Sequence, residues 1–355
     1  MNEALLKRYK PKEQAVLSVP ETQMSLVRFS SDGQLLLTAG WDGRVHRWRL
    51  GEGEPAALPA VGGHGGWVTG LVCHPSQAMA YSADSWGKIQ AWDSAAEAPQ
   101  PAWSVAEAHD GWIQCLAISA DGNLLATCGN DGFVRVWNAA DGKLVRELPR
   151  RQHPVYSVAF HPAGERIVSG DLLGKVVETN LADGKEVRTF DAGILFSVSR
   201  LQDVGGVRYL TFDRAGKTLA AAGTIPSGGG TVQGEPCILL FDWADGKQLH
   251  KVVLGPKNEC YVHELILHDE GFIIAVTSGT PGSGRLSFTT PGEDKPFFVG
   301  PNSMQNCHSV ALHPDGRRLV VISTSRGSNG NGRPLKDGKY LGNHSPITLM
   351  ELGAA

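Results

Sequence analysis

Residues 116–129 read LAISADGNLLATCG, residues 132–139 read GFVRVWNA, and residues 140–148 read ADGKLVREL. The first phrase holds two apolar runs separated by Ser119-Ala120-Asp121-Gly122, the composition of a tight turn in which glycine takes the positive φ that other residues avoid. A third run ends in Trp137-Asn138, and a second glycine turn at Ala140-Asp141-Gly142-Lys143 leads into a fourth. This stretch predicts four short strands paired as an antiparallel meander.

The phrase recurs along the chain. LVRFSSDGQLLLTAG, VAFHPAGERIVSG, LTFDRAGKTLAAAG and VALHPDGRRLVVIS are close copies, and LVCHPSQAMAYSA and LILHDEGFIIAVTS are divergent ones. Aligned on the turn residue they fall at Gly33, Gln77, Gly122, Gly164, Gly216, Gly271 and Gly316, with spacings of 44, 45, 42, 52, 55 and 45. Third strands follow each, from residues 43–50 in the first unit to residues 346–353 in the last. A four-stranded unit of about forty residues is the period of a propeller blade. A lone blade leaves both apolar faces wet, so the units must pack into a ring. The fold class expected is therefore all-β, a seven-bladed β-propeller. The last unit has only three strands of its own, and apolar residues 14–19 precede the first unit without a sheet. They are predicted to close the ring as the outer strand of blade seven. Residues 1–11 are then an N-terminal tail and residues 12–355 a single domain.

Composition agrees with a folded chain rich in turns: of 355 residues, 41% are hydrophobic and 19% charged, with 44 glycines. The formal charge of -3 supplies no general basic field, so nucleic acid is not the expected partner. The opening MNEALLKRYKPKEQ holds a single three-residue apolar run, too short for a signal-peptide core or a membrane span. The expectation is a soluble, cytoplasmic chain that does not engage membranes. Six scattered cysteines with no CxxC pair read as free thiols.

The rhythm resembles that of the WD-repeat family, the G-protein beta-like propellers. In unit three the match runs through Ala108-His109, Thr127, Asp131-Gly132 and Trp137-Asn138. The resemblance implies a buried hydrogen-bond relay of His109, Thr127, Asp131 and Trp137, and a protein that holds partners rather than one that catalyses. Unit one offers Thr38, Asp42 and Trp48 without a histidine. Unit two offers His64, Ser82 and Trp92, with Trp86 where the aspartate would stand. Unit four keeps Ser169 but has Leu173 and Thr179 at the Asp and Trp positions, and its His153 lies two residues nearer the strand than His109 does.

No other constellation converges on a reaction. His74, His161, His268 and His313 stand three residues before their aligned turns, where Ser30, Ser119 and Asp213 occupy the other units. All these types bond turn amides, and equivalent positions around a ring are too far apart to share one metal. The run Pro226-Ser227-Gly228-Gly229-Gly230 lacks the lysine and following helix of a phosphate loop. GxSxG and HExxH are absent. His263 and Glu264 are adjacent on a strand and are expected on opposite faces. No catalytic residue, metal site or cofactor is assigned. The rival reading is a propeller enzyme working in its central funnel, lactonase-like or, from a faint likeness in AADGKLVREL and LADGKEVRTF, quinone-dependent.

Long connections lie between the second and third strands of units five (residues 223–236) and seven (residues 325–346). The latter bears Arg326, Arg333, Lys336 and Lys339 and reads as a basic arm. Trp41, Trp67, Trp86 and Trp112 fall at turns on one rim, with Tyr156 nearby. Large aromatics at turns are poor core candidates and are enriched at interface hot spots. They are expected to dock a protein or peptide, on a platform that is monomeric by itself.

Overall fold

The computed structural model describes residues 2–199, 201–227, 233–280, 282–324, 335–336, 339–340 and 344–353. Within them lie seven four-stranded antiparallel sheets. In blade three the Gly122 turn joins Ile113–Ile118 to Leu124–Gly129, which pairs with Val134–Asn138 and then Leu144–Glu147. The second strand, LLATCG, is almost wholly buried although it does not alternate. Neighbouring blades cover both of its faces, as they do for any sandwiched strand. The fourth strand, LVRE, is largely exposed on the outer edge.

The apolar clusters follow this plan. Seven separate ones occur among the described residues, one at each junction between adjacent blades. The core is thus a ring of seven interfaces surrounding an axial funnel. The innermost strands, Met24–Phe29, Val68–Cys73, Ile113–Ile118, Val155–Phe160, Tyr209–Phe212, Tyr261–Leu267 and Gln305–Leu312, wall that funnel.

Blade seven closes the ring as expected, with Pro11–Leu17 paired antiparallel to Ile347–Leu352 from Pro11↔Leu352 to Leu17↔Ile347. The strand starts and ends earlier than the apolar pattern suggested. Proline is tolerated as its first residue, and Val19 leaves the sheet to bury itself in the junction of blades seven and one.

The N-terminal segment is not a free tail. Asn2–Tyr9 is an α-helix whose Leu5 and Tyr9, one turn apart, are buried against the cluster of blades six and seven. Tyr9 meets Phe272 at 5.0 Å and His268 at 4.8 Å.

The long unit-five connection is mostly an extended hairpin. Thr218–Pro226 pairs with Gly234–Asp242 as far as Pro226↔Gly234, while Gly228, Gly229 and Gly230 lie outside the described residues. A second hairpin, Phe196–Ser199 with Gln202–Gly205, is inserted between blades four and five. These two additions account for the longer fourth and fifth spacings. The basic arm falls outside the described residues: Arg326 and Arg333 entirely, Lys336 and Lys339 in all but a backbone pairing.

Candidate functional site

The relay in blade three is continuous. Trp137 Nε1 donates to Thr127 Oγ1 at 2.8 Å, Thr127 lies 2.7 Å from His109 Nε2, and His109 Nδ1 lies 3.0 Å from Asp131. These partners set the tautomer: Nδ1–H donates to the carboxylate and Nε2 accepts from the threonine hydroxyl. Burial disfavours the Asp131 charge, but the bonds from His109 and Arg135 outweigh it and hold the carboxyl well below its usual range.

Blade two builds the same network from a different carboxylate. His64 bonds Ser82 at 2.7 Å and Asp84 at 2.9 Å. Trp86 is not a gap in the relay, because Asp84, two residues after Ser82, replaces the missing aspartate. Blade four does likewise with Asp171, and Arg151 takes the histidine position, reaching Ser169 at 2.7 Å and Asp171 at 3.1 Å. Blade six has Glu259 there, bonded to Thr277 at 3.3 Å and Arg285 at 3.0 Å. In all four blades the two partners stand 18 residues apart. This spacing survives where the residue types change. Such buried networks fix strand register and do no chemistry themselves.

Of the four recurrent histidines, each accepts a bond from an amide of its own turn. His161 accepts through Nδ1 from Ala163, so Nε2 carries the proton and donates 2.9 Å to Gly216 O in the next blade. His313 Nε2 is likewise 2.9 Å from Gly33 O. These side chains clip one blade's turn to the next.

The funnel mouth has a simple rule. Six inner strands slip register near their first residues, and such bulges re-aim a side chain. The residue turned to the funnel is Ser25, Thr69, Gln114, Tyr156, Arg208, His263 or His308, one per blade. Every one stands eight residues before its aligned turn. Blade five supplies Arg208 without a slip, from just before its strand. The bulge at His263 also corrects the expectation of opposite faces, since His263 and Glu264 both line the funnel. They do different things. Glu264 pairs with Arg28 at 2.8 Å and accepts bonds from Ser309, Val310 N and Tyr209. His263 lies 2.5 Å from Ser278 Oγ, with the His308 ring 5.3 Å away. Burial pushes His263 down to about 3, helped by His308 and Arg208, and His308 down to about 4.

The cavity enclosed is about 510 Å³. Trp41, Trp67 and Trp112 form its wall on the side of blades one to three. Trp41 stacks on Trp67 at 4.7 Å, and Trp112 meets Trp67 edge-on at 5.5 Å. Trp86 sits outside the funnel, against Gly65 and Gly66, and shares a smaller adjoining hollow with the other three. The four indoles are 46%, 41%, 70% and 39% exposed in chain order. Tyr156 stands on the opposite wall beneath Arg208. Sequence reasoning placed the four tryptophans on one rim with Tyr156 nearby, but it did not single out Arg208, His263 and His308 as funnel residues. The eight-residue offset was the signal that would have found them.

Comparison with known proteins bears on the same units. The family model for the WD domain, G-beta repeat, matches residues 12–49, 103–138 and 142–177. The first interval begins in the closing strand and ends in the third strand of blade one, so the sequence repeat is offset from the blade by one strand. Among relatives, Periodic tryptophan protein 2 homolog of Dictyostelium discoideum is 29% identical over 168 residues, 46% of this chain and 18% of that protein. Telomerase protein component 1 of Rattus norvegicus is 29% identical over 221 residues, 61% of this chain and 7% of that protein. Small ribosomal subunit protein RACK1y of Oryza sativa subsp. japonica is 28% identical over 229 residues, 49% of this chain and 66% of that protein. The chain thus spans under a fifth of the first two relatives and just under two thirds of the third. Seven four-stranded blades, a His-Thr-Asp-Trp relay and three stretches that match the repeat model lead to one conclusion: the chain is a seven-bladed β-propeller built on WD-type repeats.

Proposed function

We propose that the chain is a non-catalytic interaction platform, and that the funnel-mouth face docks a protein or peptide partner through Trp41, Trp67, Trp86, Trp112 and Tyr156. One observation carries this reading: four partly exposed indoles from three blades are gathered on one face, three of them in ring contact beside a cavity. Rigid aromatics of this kind dominate interface energies because they offer large area at little entropic cost. The WD-repeat relatives support a role in holding proteins. The basic arm of Arg326, Arg333, Lys336 and Lys339 is proposed as a second contact on an acidic partner. The free thiols of Cys73, Cys115, Cys128, Cys237 and Cys307 suit a reducing compartment, and we place the protein in the cytoplasm as a monomer. No helix among the described residues is long and apolar enough to cross a membrane.

The test is calorimetric titration of Trp41→Ala, Trp67→Ala, Trp86→Ala and Trp112→Ala against the partner that co-purifies with the tagged full chain. Hot-spot indoles should each cost at least about 2 kcal/mol of binding, with melting curves unchanged. Four wild-type affinities, or four proteins that lose binding and stability together, would refute this face as the docking site.

A further inference from the structure

The funnel has two walls of opposite character, and its charges do not cancel. On the side of blades one to three stand the indoles of Trp41, Trp67 and Trp112. Across from them Arg208 lies over the ring of Tyr156 at 4.1 Å and near that of Tyr261 at 5.3 Å. Its Nε is buried without a hydrogen-bond partner, and among the described residues no carboxylate forms an ion pair with it. The remaining formal charges in the funnel, Arg28 and Glu264, neutralise each other at 2.8 Å. His263 is occupied by Ser278 and His308 by Thr324. The funnel therefore presents one uncompensated positive charge, braced between two phenol rings and facing an aromatic wall.

We propose that Arg208 receives a carboxylate of the docked partner, so that the segment entering the funnel is an acidic peptide with a bulky apolar residue beside its Asp or Glu. The inference rests on the funnel-mouth reading above and specifies its ligand. A guanidinium held between aromatic faces keeps its fork oriented, which suits the planar two-oxygen geometry of a carboxylate. A single net positive charge matches a monoanion; a phosphate, with a charge near two at neutral pH, would leave an uncompensated negative charge in a part-buried site. The cavity of about 510 Å³ is of the size that binding sites use for small ligands. It suits an acidic side chain with one apolar neighbour better than a folded element. That neighbour would rest on the tryptophans.

The experiment uses the full chain and blocked pentapeptides, with quenching of the mouth tryptophans as readout. Acetyl-Gly-Leu-Glu-Leu-Gly-amide is compared with the same peptide bearing Gln, Lys or phosphoserine in place of Glu. The Glu peptide should quench saturably, and the Gln peptide should bind at least about tenfold more weakly, as expected on losing a charged hydrogen bond. Arg208→Gln should abolish the difference between Glu and Gln. If that variant is unstable, the Glu and Gln peptides on the wild-type chain still decide. Equal binding of Glu and Gln, preference for Lys or phosphoserine, or no quenching by the Glu peptide at millimolar concentration would overturn the proposal. The two failures are separable. Loss of partner binding in the Trp→Ala series together with indifference to Glu against Gln removes only the carboxylate; four wild-type affinities in that series remove the docking face.

Discussion

At Gly122 one hydrogen atom decides whether two blades fit. The residue has a φ of +78°, and a Cβ added there would overlap the imidazole of His74 from the preceding blade; Gly33 meets His313 and Gly216 meets His161 in the same way. Gly164 has the same turn and a φ of +81°, yet open space surrounds it, because Ser119 stands at the histidine position of blade three. Gly164→Ala should therefore cost only backbone strain of about 1 kcal/mol, and Gly122→Ala clearly more. Urea unfolding of both, repeated with His74→Ala, checks this; in the His74→Ala background Gly122→Ala should cost no more than Gly164→Ala. Thr127→Val probes the relay. It removes the acceptor for the buried Trp137 indole and the donor for His109, at about 1–3 kcal/mol for each buried group left unpaired. The funnel histidines give a pH signature. An unfolded imidazole takes its proton near 6.5, whereas His308 and His263 do so only near 4 and 3 when folded. Between those values the unfolded chain binds more protons, so stability is retained above about pH 6.5 and falls as pH drops toward 3. Melting temperature measured from pH 7 to 4 should fall less steeply in His263→Gln and His308→Gln than in the wild type.

The closing strand is the element on which the ring depends. Removing residues 1–20 takes away Pro11–Leu17, which leaves Ile347–Leu352 as an open edge, and with it the helix that buries Leu5 and Tyr9. The melting temperature should drop by many degrees, and an unchanged curve would contradict the pairing. Removing residues 1–10 alone should cost less, since the outer strand then stays in place. Closure was readable from the sequence because the last unit lacked a strand and an unpartnered apolar stretch preceded the first. The helix was not, since NEALLKRY has only Leu5 and Tyr9 to bury and their site belongs to blades six and seven, far off in the chain. The bulges escaped for a related reason. A strand's alternation is assumed regular until a partner strand shows the slip, so His263 and Glu264 read as opposite when both face the funnel. Likewise Asp84 and Asp171 are not legible as relay members from blade three, where the carboxylate comes four residues after Thr127, because in blades two and four it comes two residues after Ser82 and Ser169.

Over the whole molecule, the repeat gave the number of blades, the strands in each and the rim that bears the tryptophans, because turn chemistry and strand burial are local and recur seven times. The identity of the funnel lining depended on comparing one register position across all blades, which no single unit reveals. One feature of the ring also bears on how the protein is made. The closing strand Pro11–Leu17 leaves the ribosome about 330 residues before its partner, Ile347–Leu352. At about 5–20 residues per second the wait is on the order of half a minute. Six blades have every strand they need by then, while the seventh holds the pair Gln305–Leu312 and Arg318–Thr324 but lacks Ile347–Leu352, the strand that joins that pair to Pro11–Leu17. The nascent chain must therefore travel as an open arc, keeping an unpaired β-edge at each end from its own copies, until Ile347–Leu352 arrives and lets the ring shut.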